Sequence, residues 1–279
     1  MCQSRSKQSE INPGIKPETW GFMTLSYVLS GFIVGTLVGL TGVGGGSLMT
    51  PLLALMFGVS PTVAVGTDLA FASITKSAGT FAHKVRGTVN WQIVRLLCIG
   101  ALPAALFATL CLKHFGALDK EIGQIIRYTI AASVLLTVIA LLFKRRMLHW
   151  LSQHPEKQLQ GRTLQVATVL CGVVLGALVT VSSIGAGAIG ATLIVLLYPR
   201  MSPAEIAGTD IAYAVPLTAI AAVGHWWLGS IDWNLLATLL IGSIPGIIIG
   251  SVAARAVPER ILRFLLATTL TLVAAKLIF

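Results

Sequence analysis

Apolar runs recur along the chain, divided by short polar intervals. In the first part they cover about 24–41, 44–57, 62–82, 91–113 and 122–143; in the second, about 163–182, 185–198, 203–227, 233–254 and 260–278. Most are long enough, as helices, to cross a hydrocarbon core of about 30 Å. The short alternating segments of a membrane β-barrel do not occur. The pattern predicts an all-α polytopic membrane protein with about five hydrophobic segments in each half. Segments 44–57 and 185–198 are the short ones. At the helical rise the first would span about 21 Å, so these two either cross incompletely or fold back as re-entrant pieces.

The halves repeat each other. "VGGG" (Val43–Gly46) aligns with "IGAG" (Ile184–Gly187) at an offset of 141. After one inserted residue near "LYPRM" the offset becomes 142, which pairs Asp68 with Asp210, His83 with His225, Trp91 with Trp233, Gly100 with Gly242 and Pro103 with Pro245. Similar apolar composition alone would not align His, Pro and Asp together, and repeats of this kind define architecture. An odd number of segments per half turns the second half over. The cations agree: the basic stretch Lys144–Arg162 and the loop His83–Asn90, with Lys84 and Arg86, fall on the cytoplasmic side, whereas the counterpart His225–Asp232 has no Lys or Arg and falls outside. This is the plan of an inverted-topology repeat. It divides the chain into a polar N-terminal tail (1–21), transmembrane repeat one (22–143), a basic cytoplasmic linker loop (144–162) and transmembrane repeat two (163–279). The tail lacks the early apolar core of a signal peptide. The topology puts both termini outside, against which the tail's own cations argue.

Composition narrows the function. Of 279 residues, 55% are hydrophobic and 11% charged, and the mean hydropathy is +0.85, against about 25% charged in soluble domains. The net charge of +10 sits in loops, with no basic patch interleaved with aromatics, so no nucleic-acid partner is expected. Cys2, Cys98, Cys111 and Cys171 form no C-x-x-C pair and read as small packed hydrophobes. No H-E-x-x-H or G-x-S-x-G motif appears, so neither an enzyme nor a metal or cofactor site is indicated.

The unusual chemistry lies at the two glycine clusters. "LTGVGGGSLMTP" (Leu40–Pro51) and "VSSIGAGAIGA" (Val181–Ala191) interrupt apolar runs at equivalent places. Unsatisfied backbone is not tolerated in lipid, so such breaks belong where protein or a watery cavity surrounds them. Helix starts at Gly44, Gly45, Gly46 and Ser47, and at Gly185 and Gly187, would offer free amides and a positive dipole end to an anion. The plain alternative is that small residues allow helices to cross closely. The "GTD" triplets add Thr67 and Asp68, then Thr209 and Asp210. A carboxyl at membrane depth is a functional hypothesis by default, here as a carrier of a coupling proton; alternatively Thr and Asp cap helix starts near the interface. Lys76 is the one cation well inside segment 62–82, and Thr218 is its repeat mate. It needs a carboxylate or a bound anion, unless it snorkels towards the inner interface. Asp68 is about 12 Å away along the helix, too far for direct contact. His83 and His225 end their segments as interfacial hydrogen-bonders or as proton carriers.

Taken together, "GVGGG", "GTDLA" and His83–Trp91 in the first half, with "IGAG", "GTDIA" and His225–Trp233 in the second, resemble the TauE/SafE family. "IGALPAAL" and "IGSIPGII" fit as well. The resemblance covers nearly everything from Gly31 to Phe279. It implies a multi-pass plasma-membrane exporter or permease of small sulfur-containing anions such as sulfite, thiosulfate or organosulfonates. The partners it implies are a small anion, the lipid bilayer and a coupling proton or sodium ion. Asn90 stands where the family commonly has Asp, while Asp232 keeps it. Asp68 and Asp210 follow Gly-Thr where many members have Ser. A permease for another small anion is the alternative of the same class, and a non-transporting membrane scaffold or accessory subunit is the competing class; a scaffold would need neither paired helix breaks nor an intramembrane lysine.

Overall fold

The computed structural model describes residues 17–41, 46–85, 87–116, 119–153 and 158–253, and among these only helices and their connections occur. They are α1 (Pro17–Thr41), α2 (Gly46–Met56), α3 (Pro61–Val85), α4 (Trp91–His114), α5 (Lys120–Gln153), α6 (Gly161–Ser182), α7 (Ala188–Leu197), α8 (Pro203–Trp227) and α9 (Trp233–Ala253). Residues 1–16 of the N-terminal tail, Gly44 and Gly45, and the expected segment 260–278 lie outside the described residues, while 17–21, expected as tail, begin α1.

Five of these helices, α4, α5, α6, α8 and α9, are long and apolar enough to cross a membrane. The chain is a multi-pass membrane protein. Its apolar side chains recur outward at helical spacing: Ile99, Leu106 and Leu110 on α4, and Ile241, Ile244 and Ile248 on α9, are all exposed. In water such stripes would be aggregation surfaces; in a bilayer they are the contact with lipid. α7 spans only ten residues, which matches the short segment read from the sequence. α5 departs from that reading. The apolar run ends near 143, but the helix continues to Gln153 through Lys144, Arg145 and Arg146. Lys, Arg, Met and Leu are strong helix formers, so the first part of the basic linker extends the helix.

The centre is the pair α3 and α8. In α8, 67% of the spanning window is buried, against 33% in α6, so α8 is sheltered by protein while α6 faces lipid. The two run antiparallel: Gly66 near the start of α3 lies against Ser230 and His225 beyond or near the end of α8, and Gly79 near the end of α3 lies against Ile211 near the start of α8.

Around this pair, contacts are reciprocal between the halves. A Cβ on Gly31 or Gly35 of α1 would overlap the backbone of Leu239 or Ser243 of α9. On Gly172 or Gly176 of α6, the repeat mates, it would overlap Leu97 or Ala101 of α4, which are the mates of Leu239 and Ser243. Gly100 and Gly242 return the same contacts, to Val169 and Val28. Small residues thus let two helix pairs approach backbone to backbone. Each half lends its first helix to the fourth helix of the other. When residue i meets j, and the mate of i meets the mate of j, the arrangement is that of a two-fold. With α3 and α8 antiparallel, the axis lies across the helices. Reciprocal contacts of this kind are what an inverted repeat would give.

Candidate functional site

The second half's break follows from its sequence. α6 ends at Ser182 and is capped by Ser183, which adopts φ 58°, the one non-glycine residue with positive φ among those described. Gly185 (φ 128°) and Gly187 (φ 148°) then turn the chain into α7. Such conformations are open to glycine and strained for other residues. The repeat mates of these three positions are Gly42, Gly44 and Gly46, so Ser183 carries a side chain where the first half has none. Residues 183–190 are all buried. The Gly190 amide donates to the Gly185 carbonyl (2.9 Å) and the Ala191 amide to the Gly187 carbonyl (2.8 Å). The amides of Ala188 and Ile189 precede the first helical bond, as at any helix start.

Lys76 reaches this break from the other half. Its side chain does not run to the interface; it is 5% exposed, and Nζ donates to the Ala186 carbonyl at 2.6 Å. A buried lysine thus bonds to a backbone carbonyl just before the start of a short buried helix.

The two aspartates lie nearby but in different surroundings. Asp68 is fully buried, and the Thr50 hydroxyl of α2 donates to its Oδ2 at 2.5 Å. Its Oδ1 and the Ser183 hydroxyl are buried and have no hydrogen-bond partner among the described residues. Asp210 is 2% exposed, and its Oδ1 lies against the backbone of Gly190 together with the Tyr213 hydroxyl, so that a Cβ on Gly190 would collide with both. Both carboxyls act electrostatically on Lys76. Lys76, Asp68, Asp210 and the break at Gly185–Gly187 therefore form one neighbourhood. Sequence reasoning missed Thr50, Ser183, Tyr213 and Gly190. The available signal was the replacement of a repeat-mate glycine by Ser183 at a turn.

The remaining candidates have other surroundings. The Thr67 hydroxyl oxygen accepts from the Asp232 amide (3.1 Å), and Thr209 accepts from the Asn90 amide (3.0 Å). These bonds are repeat mates and tie each half to the loop of the other. His225, fully buried, has Nε2 2.9 Å from the Thr180 carbonyl and Nδ1 2.9 Å from the Ser230 hydroxyl. A carbonyl can only accept, so Nε2 carries a hydrogen, and the ring bridges α8 to α6. His83 lies on the last turn of α3. Gly46 is the first residue of α2, followed by Ser47; Gly44 and Gly45 are outside the described residues. Asn90 and Asp232 are exposed N-caps. The Asn90 side chain accepts from the Gln92 and Ile93 amides, and Asp232 accepts from Asn234 and Leu235. Either residue suits that role, which explains how Asn90 stands in for Asp.

The sequence profile described as Sulfite exporter TauE/SafE matches residues 27–277. A protein of Bacillus subtilis (strain 168) named "Probable membrane transporter protein YjnA" is 38% identical over 256 residues, covering 92% of this chain and 100% of that protein. Another from the same organism, "Probable membrane transporter protein YdhB", is 26% identical over 255 residues, covering 90% and 99%. "Probable membrane transporter protein MJ0441" of Methanocaldococcus jannaschii is 26% identical over 202 residues, covering 70% and 69%. No solved structure matches.

Proposed function

Since the chain belongs to the sulfite exporter TauE/SafE family, a family of membrane transporters rather than enzymes, we propose that it carries small sulfur-containing anions across the plasma membrane. Sulfite, thiosulfate and organosulfonates are the candidate substrates. The site is the neighbourhood of the two helix breaks, and the halves rock about it to open alternately to either side. Lys76 is the electrostatic contact for the anion. The glycines at 44–46, Ser47, Gly185 and Gly187 let the anion approach backbone amides that no Cβ screens.

The observation that carries this reading is the Lys76 ammonium bonded to the Ala186 carbonyl of the opposite half. A scaffold gains little from an ammonium buried beside a helix break; a transporter of anions needs a positive group that both halves can reach. A carbonyl is a weaker partner for an ammonium than an anionic oxygen is, because charge on both sides roughly doubles the strength of the bond. The parked lysine is therefore available to a substrate. The test is flux in proteoliposomes with sulfite, thiosulfate, sulfoacetate and taurine, with acetate as a sulfur-free anion. Uptake of a sulfur-containing anion that Lys76→Ala abolishes is expected. Transport of acetate alone would reassign the substrate class, and no flux of any of the five would favour the scaffold.

A further inference from the structure

The Tyr213 residue of α8 is 0% exposed, and its hydroxyl has no hydrogen-bond partner among the described residues. A serine or threonine in an apolar helix can turn its hydroxyl back to a carbonyl of the preceding turn, as Thr218 does on the same helix. A phenol ring carries its oxygen too far from its own backbone for that. Tyr213 depends on what stands in front of it. A buried hydroxyl left unpaired destabilises the fold, and such a group in a native structure calls for a reason. Packing does not supply one. The equivalent place in the first half holds Phe71, also fully buried, so the position takes the ring without the oxygen.

In front of Tyr213 is the start of α7. Its hydroxyl oxygen lies 2.6 Å from the point that a Cβ on Gly190 would occupy. Gly190 is in the first turn of α7, and Cα–Cβ bonds in a helix tilt towards its N-terminus. The hydroxyl therefore sits over that first turn, with no side chain at 190 between them. Lys76 bonds to the Ala186 carbonyl just before α7, and the bond from Gly190 to Gly185 folds this stretch into one compact turn. Lys76 and Tyr213 thus reach the same short piece of backbone from opposite halves. The Asp210 carboxyl is near enough to act on Tyr213 electrostatically, yet it takes no hydrogen bond from it. We propose that Tyr213 is a binding residue of the transport site: its hydroxyl donates to an oxygen of the bound anion at the first turn of α7, while Lys76 supplies the charge. This rests on the anion reading of the same site. The chemistry it suits is an oxyanion with at least two acceptor oxygens, one for the ammonium and one for the phenol. The carboxyls that act on Lys76 offset part of its pull on an anion, and a neutral donor adds attraction that they do not cancel.

Tyr213→Phe tests this, because it removes the oxygen, leaves the ring and copies Phe71. Two measurements on the purified full-length chain are needed: the thermal midpoint of the empty protein in detergent, and calorimetric binding of thiosulfate and sulfoacetate. The hydroxyl has no partner in the fold, so the variant should keep its midpoint or raise it. Binding should weaken roughly tenfold, the loss of one hydrogen bond to the anion. A merely structural hydroxyl would instead lower the midpoint. A lower midpoint overturns the inference whatever the affinity does, since the oxygen would then have a partner in the fold. Unchanged affinity for whichever of the two anions the natural protein binds also overturns it, and leaves the anion reading standing. If the natural protein binds neither anion, the anion reading itself falls, and this inference with it.

Discussion

Lys76 in the first half and Thr218 in the second stand at equivalent places, yet they do opposite things. Thr218 bonds back to the Ala214 carbonyl of its own helix at 2.8 Å, the usual way to satisfy a hydroxyl in an apolar helix. Lys76 leaves its helix for the break in the other half. The neighbours of the two aspartates differ in the same way. Asp68 meets Thr50, whose mate is Ala191; Asp210 meets Tyr213, whose mate is Phe71. The scaffold is not like this. Glycine contacts, threonine struts and N-caps come in matched pairs across the halves. Two packings of nearly equal energy require matched halves, and an alternating transporter needs two such packings. One substrate charge requires one counter-charge. The frame can be symmetric where the site cannot.

The largest effect expected from breaking this comparison falls on the unmatched position. A buried hydrogen bond to a charged group contributes about 1.5–3 kcal/mol, and about 1.4 kcal/mol corresponds to tenfold in affinity. Lys76→Ala should therefore weaken anion binding by roughly tenfold to a hundredfold, measured by calorimetry. Lys76→Arg keeps the charge but not the shape and should retain part of it. Lys76→Thr combined with Thr218→Lys moves the charge to the mirror position. Recovery of part of the binding would sharpen the symmetric frame; none would show that the two breaks are not interchangeable.

Next come the matched glycines. Leucine at Gly100 or Gly242 would drive a side chain into the backbone of α6 or α1, and overpacking of this kind costs about 1–3 kcal/mol. The two variants should lose similar amounts of thermal stability in detergent. A loss confined to one of them would break the reciprocity of the helix pairs.

Much of this frame was legible because it is written locally and twice. The offset of His83 and His225, or Pro103 and Pro245, survives in any alignment of the chain with itself, and the breaks announce themselves as glycines. The short helix at 188–197 followed from the length of its apolar run. What stayed hidden depends on how the halves cross. The sequence placed Asp68 too far from Lys76 along the helix and left snorkelling open; only the packing of α3 on the α6–α7 break brings Ala186 to the ammonium. The Thr67 and Thr209 hydroxyls read as site residues beside Asp68 and Asp210, but their partners, the amides of Asp232 and Asn90, lie more than a hundred residues away in the chain. Helical periodicity carries no information at that separation.

These struts give the third test. Valine at Thr67 or Thr209 keeps the shape and removes the acceptor, leaving one part-buried amide without its partner. The expected loss is about 1 kcal/mol for each, followed as a shift in thermal midpoint, with the double variant roughly additive because the two bonds lie in different loops. Anion affinity should change far less than in Lys76→Ala. A drop in affinity as large as that of Lys76→Ala would return the threonines to the site.

The smallest effect concerns the one mismatch in the matched set, Asn90 against Asp232. Both cap a helix, and both side chains accept from the second and third amides of the helix they begin. Asparagine and aspartate are close to equal in that geometry, but aspartate adds a negative charge at the positive end of the helix dipole, worth about 0.3–1 kcal/mol at an exposed site. Asn90→Asp should therefore raise stability slightly, and Asp232→Asn should lower it by a similar amount. Both positions are exposed, so the two shifts should fade together as salt is raised. Neither should alter anion affinity, since each of these side chains bonds to the first amides of its own helix. If Asn90→Asp changed which anion binds, its departure from the family pattern would belong to substrate choice. If it changes stability alone, Asn90 is a cap, and the differences between the halves that matter for chemistry reduce to Lys76 and the neighbours of the two aspartates.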